Sequence, residues 1–197
     1  FGGAGNDTLQ VSSVTTGFPT PPATTFNGGT GFDTIDMSAL NVFPQAFWSY
    51  ESSSDSFSVL NYRFSSVENL IGTYGTDVYN LGLYSGPISI SAGGGNDRII
   101  VGRGAVVVDG GSGNDEIDFL GGSGTYLGGS GDDLFSAFQG SSAGAILDGG
   151  SGTDHLIFTY QHANIDLVTQ IASGFQLSNL TLRGFENITI AAYGSST

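Results

Sequence analysis

AGGGNDRII at 92–100, GGSGNDEID at 110–118, GGSGDDLFS at 128–136 and GGSGTDHLI at 149–157 are four returns of one nine-residue phrase. Asp97, Asp115 and Asp133 keep a spacing of 18 residues, and Asp154 follows after 21. A short period held this regularly is the mark of a solenoid, in which each repeat buries its apolar face only against its neighbours. The fold is therefore read outward from this stretch.

Between the strong copies lie weaker nine-residue units. Segment 101–109 is VGRGAVVVD, with Val106 where the copies carry Asp, and 119–127 is FLGGSGTYL, with Gly124 there. A longer unit at 137–148 ends in Ile146-Leu147-Asp148, and Ser89-Ile90-Ser91 precedes Ala92. Each supplies a short strand, so strands recur about every nine residues while acidic turns recur about every 18. The expected architecture is all-β: a parallel β-roll, a two-sheeted right-handed solenoid with one acidic and one plain turn per coil. Its inward residues are Tyr79, Ile99, Ile117, Phe135 and Leu156 on one sheet, with Ile90, Val108, Tyr126 and Leu147 on the other. The aspartates then fall on a single edge, and the opposite edge, through Gly104, Gly124 and Gly140, turns without metal.

Further copies stand at 2–10 (GGAGNDTLQ) and 28–36 (GGTGFDTID), with a weak one at 72–80. Val11–Asn27, which holds Pro19, Pro21 and Pro22, reads as an inserted surface loop. Phe43 to Phe64, with Phe47, Trp48, Tyr50, Phe57, Val59, Leu60 and Tyr62, reads as a β-hairpin packed over one end or face of the stack. After Asp154, strand-like runs at Leu156–Tyr160, Ile165–Val168, Phe175–Leu177 and Leu180–Leu182 form a second excursion. Ser66-Val67-Glu68-Asn69-Leu70 and Gly184-Phe185-Glu186-Asn187-Ile188 close the two excursions in the same way. We divide one domain, 1–197, into N-terminal coils (1–40), a β excursion (41–71), the regular β-roll (72–157) and a C-terminal β cap (158–197).

The composition fits this reading. The chain has 33 glycines, no cysteine, no lysine and four arginines against 18 acidic residues, a formal charge of −14. Phosphate binding needs a basic surface, so nucleic acid is not the expected partner. The 39% hydrophobic and 12% aromatic content is too high for a disordered acidic tail. There is no apolar run of 18 residues and hence no membrane span. Phe1 opens directly on a repeat, as in a segment of a longer protein.

The phrase has its own chemistry. Glycines at its first, second and fourth places let the backbone turn its carbonyls toward one point. The aspartate adds a hard anionic oxygen, and oxygen-only ligands suit Ca²⁺ rather than Zn²⁺. Without a cation, carboxylates stacked ~4.8 Å apart repel by roughly 3 kcal/mol each at an effective dielectric of about 20. Calcium would turn that repulsion into attraction, so the expected metal-free chain is loosened or unfolded and calcium folds it.

The GGxGxDxUx copies resemble the RTX (hemolysin-type calcium-binding) repeat regions of serralysin-type proteases, pore-forming toxins, mannuronan epimerases, large adhesins and S-layer proteins. The resemblance implies an ion between each pair of acidic turns one coil apart. The upstream turn would give the carbonyls of its second and fourth residues, the downstream turn those of its first and third, and both aspartates would join. The ligands so implied are Gly3, Gly5 and Asp7; Gly28, Thr30 and Asp33; Thr73, Gly75 and Asp77; Ala92, Gly93, Gly94, Gly95 and Asp97; Gly110, Gly111, Ser112, Gly113 and Asp115; Gly128, Gly129, Ser130, Gly131 and Asp133; and Gly149, Ser151 and Asp154. Four to six ions are expected. Four lie along Asp77–Asp154 and one between Asp7 and Asp33, and a sixth would join Asp33 to Asp77.

Three functions are compatible with the sequence. In the first, the chain is a non-catalytic calcium-binding module of a secreted bacterial protein, exported by type I machinery and folded outside by calcium. In the second, it is a segment of an S-layer or adhesin whose calcium-dependent self-association, or contact with cell-surface polysaccharide, holds the layer. In the third, it is a β-helical enzyme acting on acidic polysaccharide; Arg63, Arg98, Arg103 and Arg183 form no sequence cluster, and Arg98 and Arg103, which flank one strand, are its only support. No HExxH or Ser/His/Asp arrangement accompanies His155 and His162, so no catalytic residue is assigned. Asp118 and Asp148 read as solvated acids, with added carboxylates on the plain edge as the alternative, and Glu68 as a strand-end hydrogen-bonding residue with calcium ligation as its alternative.

Overall fold

Between Ile88 and Thr159 the chain makes short strands that fall alternately into two sheets. Ile88–Gly94, Val106–Ser112, Gly124–Ser130 and Ile146–Ser151 pair in parallel in one of them. Arg98–Val101, Glu116–Phe119, Leu134–Ala137 and His155–Thr159, which follow the aspartates, pair in parallel in the other. We name the sheet that follows the aspartates the first sheet and its partner the second. Each has ten strands. The computed structural model describes residues 2–12, 24–40, 46–59, 62–137, 144–159, 163–166, 171–174 and 177–191, and no helix occurs among them.

The period of two along each strand decides what is buried. Tyr79, Ile99, Ile117, Phe135 and Leu156 are aligned across the first sheet, and all are fully buried. Leu81, Val101, Phe119, Ala137 and Phe158 make a second buried row on the same strands. Ile90, Val108, Tyr126 and Leu147 align across the second sheet and are buried against them. The core is thus a narrow slab only a few side chains wide. Burying one such side chain is worth about 1.5–3 kcal/mol.

The aromatic excursion does not lie over an end or a face. Phe47–Glu51 pairs in parallel with Val78–Leu81, and Ser56–Val59 and Tyr62–Ser65 continue the first sheet as an antiparallel meander. Its alternation explains this: Trp48, Phe57, Val59 and Phe64 point into the slab and are buried, so the hairpin is most stable as part of the sheet. Thr24–Asn27 is also a strand, pairing in parallel with Tyr62–Ser65, where the sequence suggested loop. Pro19, Pro21, Pro22, Phe43 and Leu60 lie outside the described residues.

The second excursion does the same to the other sheet. Ala163–Asp166, Ile171–Gly174 and Leu177–Arg183 form an antiparallel meander, and Leu177–Arg183 joins Ile146–Ser151 in parallel. Asn187–Ala191 then pairs with His155–Thr159 and ends the first sheet. Tyr160, Val168 and Phe175 lie outside the described residues.

The two N-terminal copies cross between sheets in the reverse sense. Asp77, Asp97, Asp115, Asp133 and Asp154 each sit where the chain passes into the first sheet. After Asp33, in contrast, the chain leaves Thr24–Asn27 of the first sheet and enters Thr34–Asp36 of the second. Thr8–Gln10, Thr34–Asp36 and Asn69–Ile71 align in parallel with Ile88–Gly94.

Candidate metal centre

Because strands within each regular stack are parallel, the beginnings of first-sheet strands share one edge and those of second-sheet strands share the other. Asp77 to Asp154 occupy the first of these edges. Asp7 and Asp33 occupy the opposite one, in line with the plain turns near Gly104 and Gly122. The expected single file is therefore two files. The pattern of aspartates could not show this, because the shift is made by the single strand Asn69–Ile71: after the Glu68 crossing the chain passes once through the second sheet and meets its next acidic turn, at Gly72–Asp77, on the other edge. The same shift removes any step from Asp33 to Asp77. Gly140, on the expected plain edge, lies outside the described residues.

Within each file the steps are alike. Asp115 Oδ1 accepts the backbone N–H of Asp97 at 2.8 Å, and Asp133 Oδ1 accepts that of Asp115 at 2.8 Å. The pattern continues from Asp133 to Asp154 Oδ1 and recurs between Asp7 and Asp33 Oδ1, each at 2.8 Å. Asp77 donates to Asp97 Oδ1 at 2.6 Å. The second oxygen is different. Oδ2 of Asp7, Asp33, Asp97, Asp115, Asp133 and Asp154 is buried with no hydrogen-bond partner. A buried carboxylate oxygen left unpaired costs at least 1–3 kcal/mol, so six in one small domain call for an explanation.

The glycines show what space these oxygens face. A methyl group placed on Gly110 would overlap Asp115 Oδ2 and lie 2.6 Å from Gly128 O. One placed on Gly128 would overlap Asp133 Oδ2 and lie 2.5 Å from Gly149 O. Gly2, facing Asp7 Oδ2 and Gly28 O, repeats the arrangement on the other edge. The first-place glycine thus leaves a cradle walled by its own aspartate and by the first-place carbonyl of the next turn. Second- and fourth-place carbonyls, such as those of Gly111 and Gly113, face the next turn at Gly129 and Gly131. The positive φ of Gly111 (101°) and Gly113 (123°) shows that the turn itself needs glycine.

Third-place carbonyls have other work. Those of Thr30, Ser130 and Ser151 accept the N–H of Gly5, Gly113 and Gly131 at 2.8–2.9 Å. Two cradles also differ from the rest. Asp77 Oδ2 accepts the Thr73 N–H at 2.7 Å and is not orphaned, and Thr73, which stands where other copies have glycine, also donates its Oγ1 to Asp77 Oδ1 at 3.0 Å. Ala92, fully buried, places a real methyl where the other strong copies have a first-place glycine. No three His, Asp or Glu side chains converge on one point among the described residues, so a cation here would draw on carbonyls as well as carboxylates.

Electrostatics tightens the case. Burial pushes the Asp97 and Asp115 carboxyls up to about 7, and neighbouring aspartates add to it against the backbone hydrogen bond that each accepts. Burial likewise raises Asp133 to about 6. Asp77 and Asp154 are raised for the same first reason. These sites resist holding bare charge.

The fifth place of the phrase carries structure that its variability concealed. Asn96 Oδ1 accepts the Asn114 N–H, Asn114 Oδ1 the Asp132 N–H, and Asp132 Oδ1 the Thr153 N–H, at 2.8–2.9 Å. Fifth-place side chains reach forward along the stack while sixth-place aspartates reach back, which locks the turns in register.

The remaining charged residues are mostly paired. Asp118 is buried and accepts Arg98 Nη2 at 2.6 Å, so it is not a solvated acid. Arg63 pairs with Glu51 at 2.8 Å. His155 Nε2 lies 2.8 Å from Thr189 Oγ1, beside an open cleft of about 520 Å³ that Arg183 and Glu186 also line. His162 lies outside the described residues. No helix among the described residues is long and apolar enough to cross a membrane. Neither a family model nor a curated protein matches the chain.

Proposed function

We propose that this chain is a two-sheeted β-roll that binds calcium along both of its edges and couples that binding to folding. The observation that carries the reading is the set of six buried, unpartnered Oδ2 atoms, five of them in turns whose first-place glycine leaves a cradle beside them. Gly111, Gly113 and Asp115 with Gly128 and Asp133 would hold one ion in the cradle beside Gly110; the Asp133–Asp154 and Asp7–Asp33 steps repeat that set, and the steps at Asp77 and Asp97 vary it through Thr73 and Ala92. The cation supplies positive charge between stacked carboxylates and replaces water around carbonyls that already face one another.

Folding follows from the same balance. A slab this narrow cannot offset several like-charge steps of roughly 3 kcal/mol each at an effective dielectric of about 20. An ion that binds the folded chain alone stabilises it by RT ln(1 + [Ca²⁺]/Kd) per site. Together with the RTX resemblance, this makes the chain a non-catalytic module of a secreted bacterial protein, unfolded before type I export and folded in calcium outside. Calorimetric titration with calcium, paired with circular dichroism in EGTA, tests the reading. Several bound ions and a gain of β-structure are expected; full native structure in EGTA with no calcium uptake would overturn it.

A further inference from the structure

Both acidic files end on a glutamate, and the chain builds the two ends alike. Asp33 donates its backbone N–H to Glu68 Oε2 at 2.9 Å, and Asp154 donates to Glu186 Oε2 at 2.7 Å. At interior steps an aspartate Oδ1 from the next turn takes that place. Each glutamate stands two residues after a positive-φ residue, Ser66 at 51° and Gly184 at 65°, in a crossing much shorter than the nine-residue phrase. Glu68 begins the return to the second sheet at Asn69–Ile71, and Glu186 begins the return to the first at Asn187–Ala191.

The cradles persist at these ends. A methyl on Gly149 would lie 2.5 Å from Gly184 O and 2.6 Å from Asp154 Oδ2, and one on Gly28 would overlap both Ser66 O and Asp33 Oδ2. Asp33 and Asp154 are fully buried, and the Oδ2 of each has no partner. The carbonyls of Ser66 and Gly184 thus stand where Gly28 O and Gly149 O stand at interior steps.

We infer that Glu68 and Glu186 each complete one more divalent-cation site, closing the file at the Asp33–Glu68 and Asp154–Glu186 steps. The inference rests on the calcium reading above, and it adds two ions to the five steps between aspartates. The short glutamate crossing is a truncated repeat. Its longer side chain spans the gap that the missing glycine-rich residues leave, and the cation it helps to hold would offset the charge of the last aspartate of each file.

The test is a count of bound calcium ions per chain by native mass spectrometry, with calorimetric titration as a second measure. Glu68→Gln and Glu186→Gln retain a side-chain oxygen for the N–H of Asp33 or Asp154 but lose the charge; Glu68→Ala and Glu186→Ala lose both. Ligation predicts that each substitution, Gln or Ala, removes one ion relative to the unaltered chain, and that a double Gln variant removes two. A purely capping role predicts an unchanged count in both Gln variants, and that result would overturn the inference while leaving the interior sites intact. A chain that takes up no calcium would overturn the inference and the calcium reading together.

Discussion

Asp115 reaches back one turn to Asp97: its Oδ1 accepts the Asp97 backbone N–H at 2.8 Å, while its Oδ2 is buried without a partner. One carboxylate thus has a structural half and an unused half. Asp115→Asn separates them, because the amide keeps the acceptor and removes the charge. We expect the variant to be more stable than the unaltered chain in EGTA, by about 1–3 kcal/mol, the usual cost of an unsatisfied buried polar group. In calcium the order reverses, since the variant gives up a ligand shared by two steps of the file. Urea denaturation with and without calcium measures both effects.

Proton linkage gives a second prediction. Asp97 and Asp115 rise from 3.8 to about 7, and Asp133 rises to about 6, chiefly through burial. A carboxyl whose folded-state pKa lies above its unfolded value favours the folded chain when protonated. That stabilisation is complete below about pH 4 and is lost as pH climbs through 6 to 7. The metal-free chain should therefore be more stable at pH 5 than at pH 8. Calcium competes with the same protons, so the calcium-loaded chain should show the opposite trend. Thermal melts at the two pH values, in EGTA and in calcium, give the sign of each slope.

The first-place residue of each turn provides a third. Gly128→Ala drives a methyl against Asp133 Oδ2 and the Gly149 backbone carbonyl, neither of which is the loose end of a flexible chain. Overpacking of this kind costs typically 1–3 kcal/mol, and here the methyl also enters the cradle. Calcium should lose more of its stabilising effect in this variant than in one altered on an outward strand position such as Thr125→Ala. Ala92→Gly is the reverse experiment. It costs the metal-free chain up to about 1 kcal/mol of backbone entropy but opens the cradle next to Asp97, so it should lower the calcium midpoint for folding.

Much of this was legible in the sequence, and what was not has a physical cause. The 18-residue spacing of Asp97, Asp115 and Asp133 reports the step from one strand to its parallel neighbour in a sheet, and Ile99, Ile117 and Phe135 report the inward face, because the side-chain period of a strand is two. The antiparallel meanders broke the reading. Phe47–Glu51, Ser56–Val59 and Tyr62–Ser65 alternate as any hairpin does, and nothing local says whether a hairpin lies on a stack or within it. Whether the file of Asp7 and Asp33 shares an edge with that of Asp97 depends on how many times the chain crosses between the sheets in the interval, and the three strands of the meander count as one. Glu68 and Glu186 were visible as a shared Glu-Asn-Leu/Ile phrase. Their hydrogen bonds to Asp33 and Asp154 are made across 35 and 32 residues, beyond the reach of any spacing rule.

The only tryptophan gives a final prediction that links the meander to the file beside it. Trp48 stacks on Tyr79, with ring centroids 5.5 Å apart and planes 7° from parallel, and both rings are buried. Tyr79 stands two residues after Asp77, and its hydroxyl is directed to the space beside Gly72, near Asp77 Oδ2. The ring pair thus joins the inserted strands to the first turn of the long file, where ordering of that turn should be felt by the indole. Tryptophan emission should shift toward the blue as calcium is added, with the same midpoint as circular dichroism. Trp48→Ala should cost about 3–5 kcal/mol, as large aromatic deletions do, and should raise the calcium needed for folding. Trp48→Phe, which keeps a ring against Tyr79, should cost clearly less. Equal loss in the two variants would show that the stack does not carry the coupling.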